Sequence, residues 1–296
     1  MEQRVGQGLP ARVLLLTTLA MLAFAANSLL CRLALRGSGI DAASFTTLRL
    51  VSGALTLWLI VRLSTRGQAA APAGIGNWWS ALALFVYAAA FSLAYLSLSA
   101  ATGALLLFGM VQLTMIAQGL RKGERLHGWA LAGFVLAMAG LIGLLLPGLS
   151  APPLVGSLLM ALAGVAWGVY SLRGRGAGDP TRVTAGNFMR SLPFTLALAL
   201  LWLLLGLPVQ VDLAGVLYAV ASGAVASGLG YAIWYSALPS LKAMAAATVQ
   251  LSVPAIAAVG GVLFLDESLS LRLVLASVAI LGGIALVILA KPAPRA

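Results

Sequence analysis

Long apolar segments separated by short polar loops run through the whole chain, and ten of them are near the ~20 residues that a helix needs to cross a bilayer. They cover residues 13–35, 43–63, 77–98, 100–120, 127–146, 153–173, 183–205, 213–236, 241–265 and 270–290. We number them span one to span ten. The pattern predicts an all-α integral membrane protein with ten transmembrane helices.

Composition and charge agree with a membrane protein. Hydrophobic residues make up 61% of the chain and charged residues 8%, against roughly 45–50% and 25% in soluble proteins. The mean hydropathy is +1.04. The net charge of +11 comes from basic residues scattered over short loops, which form no stripe of the kind that binds nucleic acid. We therefore expect the lipid bilayer as a partner and no nucleic acid.

The distribution of lysine and arginine predicts the orientation of the chain, since cytoplasmic loops are rich in these residues. With the amino terminus inside, thirteen of the eighteen basic residues fall on the inner side: Arg4, Arg12, Arg62, Arg66, Arg121, Lys122, Arg125, Arg173, Arg175, Arg182, Lys242, Lys291 and Arg295. The prediction is a multi-pass protein of a bacterial inner membrane with both termini in the cytoplasm.

An amide side chain occurs twice within an apolar run of membrane length. Gln250 lies in the sequence Val-Gln-Leu-Ser-Val-Pro, and Gln112 lies in the related sequence Val-Gln-Leu-Thr. A proline breaks the helical hydrogen bond to the residue four positions earlier, so Pro254 predicts a helix break that frees the Gln250 carbonyl. Gln112, Gln250 and Ser252 are therefore candidate substrate-binding residues.

The two amides belong to a wider internal repeat. Five residue pairs have sequence offsets between 138 and 141, namely Asn27 with Trp167, Arg49 with Arg190, Phe91 with Tyr231, Tyr95 with Tyr235, and Gln112 with Gln250. Because each half has an odd number of spans, the second half must be inverted. The predicted domains are residues 1–148 and 149–296, and such repeats place a transport site between them.

Aromatic residues form a stripe on span three and a second stripe on span eight. Tyr87, Phe91 and Tyr95 have i, i+4, i+8 spacing and therefore share one helix face. Ser227, Tyr231 and Tyr235 repeat this spacing on span eight, and Trp234 lies beside them. We expect both stripes to line a pore, the alternative being an aromatic belt at the membrane interface.

Other polar and aromatic residues are candidates for contact with a substrate. Trp167 and Tyr170, at i and i+3 on span six, are suited to stacking on a flat apolar group, although packing between helices is an equal alternative. Asn27 lies deep in span one, where an amide faces either a cavity or another helix. Arg49 and Arg190 are candidate partners for a substrate carboxylate; the alternative is that each extends to the membrane interface and anchors its helix.

No acidic residue lies within a span, which argues against proton-coupled export of cationic drugs. The chain has one cysteine, Cys31, and one histidine, His127, so the sequence offers no basis for a metal site. We expect no cofactor and no enzymatic activity, because paired catalytic groups are missing from the spans.

Spans five and ten carry small residues at four-residue spacing instead of polar ones. The pairs are Gly133 with Ala137, Ala139 with Gly143, and Ala279 with Gly283. This spacing favours close helix contacts. The two spans are expected at the periphery, where they either brace the bundle or form a homodimer.

These motifs resemble a known family over the whole chain. The chain is similar to EamA-type domains of the drug/metabolite transporter superfamily. The matching residues are Asn27 and Arg32 in span one, the Tyr-Leu-Ser-Leu sequence from Tyr95, the Ala-Trp-Gly-Val-Tyr sequence around Trp167, and the sequence around Gln250. Within it, the chain most resembles YddG-type exporters of aromatic and other neutral amino acids. The resemblance implies an inner-membrane exporter of such amino acids that works by alternating access. Exporters of nucleobases, nucleosides or amphipathic drugs are the alternative within transport, and an intramembrane enzyme or helical scaffold is the alternative of another class.

Overall fold

The computed structural model of the chain describes residues 11–64, 76–123, 125–148, 150–174, 179–241 and 243–289, and every regular element within these ranges is helical. Both termini lie outside the described residues. So do Leu149, at the predicted boundary between the halves, and six of the thirteen basic residues assigned to the inner side, namely Arg4, Arg66, Arg175, Lys242, Lys291 and Arg295.

The helices follow the predicted spans in order. Spans one to seven are Ala11–Gly37, Ala42–Ser64, Trp78–Tyr95, Ala100–Arg121, Trp129–Leu145, Leu154–Gly174 and Pro180–Leu204. Span eight combines Leu213–Val220, Ala221–Leu229 and Gly230–Ala237, span nine combines Ala243–Gln250 and Ser252–Leu265, and span ten is Leu271–Leu289. Within the described residues nine helical segments are long and apolar enough to cross a membrane, and span five is an apolar helix of 17 residues.

Short polar side chains begin several of these helices by capping their free backbone N–H groups. The residues that accept such hydrogen bonds are Asp41, Asn77, Ser99, Asp179 and Asp212. At the loop before span eight, hydrogen bonds from the backbone of Gly39 and Gly215 hold the pKa of the Asp212 carboxyl below its usual range. The carboxylates of Asp41, Asp179 and Asp212 therefore cap helix ends and lie away from the bundle centre.

Span pairs distant in sequence pack together to form the bundle. Span one packs against spans eight and nine, span two against seven and eight, span three against six and seven, and span four against six and nine. Leucine, valine and tryptophan side chains cover much of the outer surface, as expected where helices face lipid. Spans one, two, three, four, six, seven and eight together enclose the centre of the bundle.

Spans five and ten pack mainly against each other, at one side of the bundle. A Cβ atom on Gly133 would lie 2.5 Å from the Gly283 carbonyl oxygen, and a Cβ on Gly283 would lie equally close to the Gly133 oxygen. The two backbones are therefore in contact through small residues. Gly143 has open space around it instead. Two of the three predicted small-residue pairs thus brace the chain internally, and the third faces outward.

Two spans depart from the regular helices that the sequence predicts. Span eight contains a π-helical segment, Ala221–Leu229, whose sequence is made almost wholly of small residues. Span nine breaks at Leu251, where the backbone N–H bonds to the Thr248 carbonyl three residues earlier. Pro254 then lies in the first turn of Ser252–Leu265, where a helix needs no N–H donor.

Candidate functional site

Arg49 of span two is buried at the centre of the bundle, with 1% of its surface exposed. Its Nη2 donates a 2.8 Å hydrogen bond to the Tyr87 hydroxyl. The guanidinium carbon lies 4.8 Å from the Phe91 ring centre and 5.1 Å from that of Tyr87. Within the described residues its Nη1 has no hydrogen-bond partner and the side chain makes no ion pair. The site therefore holds a permanent positive charge with unused donor capacity.

The π segment of span eight fixes the position of this arginine. A Cβ atom on Gly223 would overlap the Arg49 carbonyl oxygen, so only glycine allows the two backbones to approach so closely. Gly53, one turn after Arg49, in turn fits against the ring of Phe188 on span seven. Span two is thus fixed on both sides of the arginine.

A chain of hydrogen bonds connects Arg49 to three other spans. The Ser222 hydroxyl donates to Asn27 Oδ1 at 2.5 Å, and Asn27 Nδ2 donates to the Tyr87 hydroxyl at 3.2 Å. The Tyr87 oxygen therefore accepts from both Asn27 and Arg49, which leaves its own proton free to be donated. All four side chains are buried. They join spans one, two, three and eight in one polar group.

Aromatic rings form the wall beside this polar group. Trp167 lies centrally among them, since its ring is 4.9 Å from Tyr87 and stacks on Tyr170 at 5.2 Å and on Tyr231 at 5.1 Å. Tyr231 also contacts Phe24 at 5.7 Å and Phe188 at 6.0 Å. The wall therefore combines residues from spans one, three, six, seven and eight.

A small cavity lies between the polar group and the aromatic wall. Its free volume is about 20 Å³, which is enough for a water molecule. The residues that line it are Phe24, Asn27, Ser28, Tyr87, Phe91, Leu107, Phe108, Trp167, Ala226 and Tyr231. The structure thus has a small cavity with an amide, hydroxyl groups and aromatic rings around it.

An ion pair closes one end of the bundle, which we call the Arg32 end. Arg32 Nε lies 3.2 Å from Glu267 Oε1, and the exposed fractions of the two side chains are 12% and 5%. Arg32 also donates to the Tyr95 carbonyl at 2.7 Å, while Glu267 Oε2 accepts from the Ala100 N–H at 2.8 Å. The pair therefore ties span one to spans three and four and to the segment that follows span nine.

A network of uncharged acceptors lies at the opposite end, near Arg173. This arginine donates to the Ser80 hydroxyl at 3.2 Å and to Asn77 Oδ1 at 3.1 Å. The Asn77 N–H donates to Asn187 Oδ1 at 2.9 Å, and Asn187 Nδ2 donates to Tyr170 at 3.5 Å. This end joins spans three, six and seven.

The structure brings together many of the residues that the sequence singles out. Asn27, Tyr87, Phe91, Trp167 and Tyr231 line the cavity, and Arg49 contacts two of them. Three further candidates are buried behind these: Tyr95 contacts Phe91, Tyr170 contacts Trp167, and Trp234 contacts Phe24.

Four other candidates lie elsewhere. Gln112 is buried in span four but does not line the cavity. Gln250 and Ser252 bond to their own helix, at the Ala246 and Val249 carbonyls respectively. Arg190 is half-buried and donates to the Gly186 carbonyl of its own helix. Of the two candidate partners for a carboxylate, only Arg49 reaches the aromatic group.

Sequence reasoning missed several members of the site. Ser222 and Ala226 lie in the π segment, whose small residues carry no periodic signal. Ser28 and Phe108 lie in apolar runs where nothing distinguishes them from packing residues. The available clue was the cluster of glycine, serine and alanine in residues 221–229. This cluster forms the π-helical segment, and π-helical insertions are frequent at functional sites.

Fold and site together define the class: a multi-pass helical membrane protein with a small cavity, lined by polar and aromatic groups, at the centre of its bundle. Residues 154–289 match the EamA-like transporter family. Over 284 residues the chain is 60% identical to the uncharacterized protein PA1977 of Pseudomonas aeruginosa, a match that covers 96% of each protein. The chain belongs to the same family as that protein, and its second half carries an EamA-like transporter domain of the drug/metabolite transporter superfamily.

A solved structure supports the fold. A structure described only as the crystal structure of a protein has a TM-score of 0.62 to this chain, at 21% identity, over 93% of this chain and 96% of that one. At this identity the likeness concerns the fold alone.

Proposed function

We propose that the chain exports neutral amino acids, aromatic ones foremost, across a bacterial inner membrane by alternating access around the central cavity. The observation that carries the proposal is Arg49, a buried cation with an unused donor beside a group of aromatic rings. Burying an arginine within a membrane costs about 2.5–3.5 kcal/mol on insertion scales. A substrate carboxylate that enters the cavity supplies the missing counter-charge.

The aromatic wall suits the other end of such a substrate. Ring pairs contribute about 0.5–1.5 kcal/mol beyond the burial of apolar area. Trp167, Tyr231 and Phe24 line the cavity together with Tyr87, whose hydroxyl bonds to Arg49. The carboxylate and the ring of an aromatic amino acid would therefore each have a matching partner.

Many transporters that work by alternating access are built from two related halves, and the packing of the spans supports this part of the proposal. If the two halves are related by a shift of five spans, each contact between two spans predicts a second contact. The contact of spans three and six predicts one of eight and one, that of four and six predicts nine and one, and that of two and eight predicts seven and three. The pairs two–seven, four–nine and five–ten map onto themselves, and all these contacts occur. In the proposed cycle the Arg32 end and the Arg173 end open in turn.

Export of nucleobases, nucleosides or amphipathic drugs is the alternative that uses the same aromatic wall. It leaves Arg49 without a role, because these compounds lack a carboxylate. Uptake of labelled tryptophan, threonine and adenine by proteoliposomes that contain the pure protein separates the two. The proposal predicts uptake of tryptophan above that of adenine, and the reverse order would refute it.

The orientation of the chain can be tested with reporter fusions. Because basic residues concentrate on one side, a reporter fused to the carboxyl terminus should be cytoplasmic and one inserted in loop 147–153 should be periplasmic. The measurement is alkaline phosphatase and fluorescent-protein activity in intact cells. Opposite signals at both positions would overturn the predicted orientation.

Gln250 provides a test of the boundary of the site. Its amide bonds to its own helix at 3.2 Å. Gln250→Ala should therefore leave tryptophan transport within about twofold of wild type. The lost hydrogen bond should lower only the stability, by about 1 kcal/mol. Transport per folded molecule, with thermal unfolding as the control, measures this. A loss of transport of tenfold or more would show that Gln250 belongs to the binding site.

One surface of spans five and ten remains available for the proposed homodimer. Ala139 is exposed and Gly143 has open space beside it, whereas the other small pairs pack within the chain. A dimer would therefore use this outward face of span five.

A further inference from the structure

We infer that the cavity prefers aromatic monocarboxylates that lack an α-ammonium group to the zwitterionic amino acids that have the same ring. The inference rests on the proposed function, because it concerns the substrate class of the same cavity. It follows from three properties of the site: its net charge, its balance of donors and acceptors, and the engagement of its ring faces.

The charge of the site is that of Arg49 alone. None of the five acidic residues within the described part of the chain faces the cavity. Asp41, Asp179 and Asp212 cap helices, Asp266 ends span nine, and Glu267 pairs with Arg32. A monocarboxylate therefore neutralises the site. A zwitterion leaves it with one net positive charge and brings an ammonium group that has no carboxylate partner.

The hydrogen-bonding groups in and beside the cavity are mostly donors. Arg49 lies behind the lining residues Tyr87 and Phe91, and within the described residues its Nη1 has no partner. The Tyr87 hydroxyl accepts two hydrogen bonds and so retains its proton for donation. Two of the lining side chains offer an acceptor besides Tyr87: Asn27 Oδ1, which already receives the Ser222 hydroxyl at 2.5 Å, and the neutral hydroxyl of Ser28, which has no partner within the described residues. Two donors on one carboxylate form a good match, whereas an ammonium group needs several acceptors and would find the neutral Ser28 hydroxyl in place of a carboxylate.

Ring faces offer an ammonium group little compensation. Cation–π attraction requires a free aromatic face. The rings of Tyr87 and Phe91 already lie under the Arg49 guanidinium, so a second cation there would also be repelled by the first. Trp167 is stacked on both Tyr170 and Tyr231. Phe24 and Phe108 are the other phenylalanine rings of the lining, and phenylalanine is a weaker partner for a cation than tryptophan. Desolvation of the ammonium group is therefore compensated less than that of the carboxylate.

Three ligands that share one ring test the inference. 3-Phenylpropionate has only the carboxylate, phenylalanine has both charged groups, and phenethylamine has only the ammonium. Titration calorimetry on the full chain in detergent should give a dissociation constant for 3-phenylpropionate about tenfold below that for phenylalanine, and binding of phenethylamine weaker still. The tenfold factor is the lower end of the effect of one unpaired charged group.

Two variants locate the source of the preference. Arg49→Gln should remove the advantage of 3-phenylpropionate over phenethylamine, whereas Arg190→Gln, at the corresponding position of the other half, should keep the wild-type ranking. If Arg49→Gln fails to fold, the ranking of the three ligands by the wild-type chain decides the question alone.

The outcomes separate this inference from the proposed function. If phenylalanine binds as tightly as 3-phenylpropionate or more tightly, and labelled tryptophan is transported, the inference is wrong and the proposed function stands. If phenethylamine binds best, or none of the three ligands binds, both fail. The expected ranking together with transport of tryptophan supports both.

Discussion

Arg49→Gln is expected to reduce tryptophan transport by tenfold or more while leaving the thermal stability of the chain nearly unchanged. The loss of charge-assisted hydrogen bonds to a carboxylate corresponds to about 1.5–3 kcal/mol. Stability behaves differently because two effects oppose each other. Removing an unpaired buried cation relieves a cost of about 2.5–3.5 kcal/mol, and losing its bond to Tyr87 cancels much of that relief. The measurement is countertransport in proteoliposomes beside thermal unfolding in detergent.

The matched control for this prediction is Arg190→Gln. Arg190 has the same position in its span but bonds to its own helix, so transport should stay near the wild-type level. A result in which Arg49→Gln transports normally, or in which Arg190→Gln loses transport instead, would contradict the assignment of Arg49. A variant with lost transport and unfolded protein would point to a structural role.

Glu267→Gln is expected to destabilise the Arg32 end by about 3–5 kcal/mol, because removing one partner of a buried ion pair leaves the other charge uncompensated. The double variant Arg32→Gln/Glu267→Gln should recover part of this loss. Cys31, the one cysteine of the sequence, is fully buried next to Arg32. The rate at which a maleimide labels it reports opening of this end, and Glu267→Gln should raise that rate.

Asp266→Asn is the control for the ion pair. Asp266 has a left-handed backbone at φ 51°, a conformation that asparagine also adopts readily, so this variant should match wild type in unfolding temperature and in labelling of Cys31. Equal behaviour of Glu267→Gln and Asp266→Asn would contradict a closing role for the pair. A double variant that is less stable than both single variants would also contradict a closing role for the pair.

The spacing of aromatic residues was the most informative signal in the sequence. The i, i+4 pattern placed Tyr87 and Phe91 on one face of span three, and both line the cavity. Asn27 and Trp167 were identified because an amide and a tryptophan within a span need a specific partner. These signals are local: they depend on helix geometry that the sequence specifies within a few turns.

What the sequence did not predict depends on contacts between distant segments. Arg49 and Arg190 are one of the offset pairs of the sequence, yet Arg49 bonds to Tyr87 of span three while Arg190 bonds to its own helix. Gln250 has the sequence features of a site residue, yet a break at Leu251 leaves its amide bonded to its own helix. The π segment, which brings Ser222 to Asn27, has no periodicity that could reveal it.

The central claim is that a substrate enters the cavity between spans one, three, four, six and eight and that its carboxylate binds Arg49 of span two. A crystal structure of the chain with a ring-brominated 3-phenylpropionate tests it most directly, since the anomalous signal of bromine locates the ring. The account predicts a bromine peak beside Trp167 and Phe24, with a carboxylate oxygen about 2.8 Å from Arg49 Nη1. A fully occupied ligand whose carboxylate binds Arg190, Arg32 or the loops would contradict it.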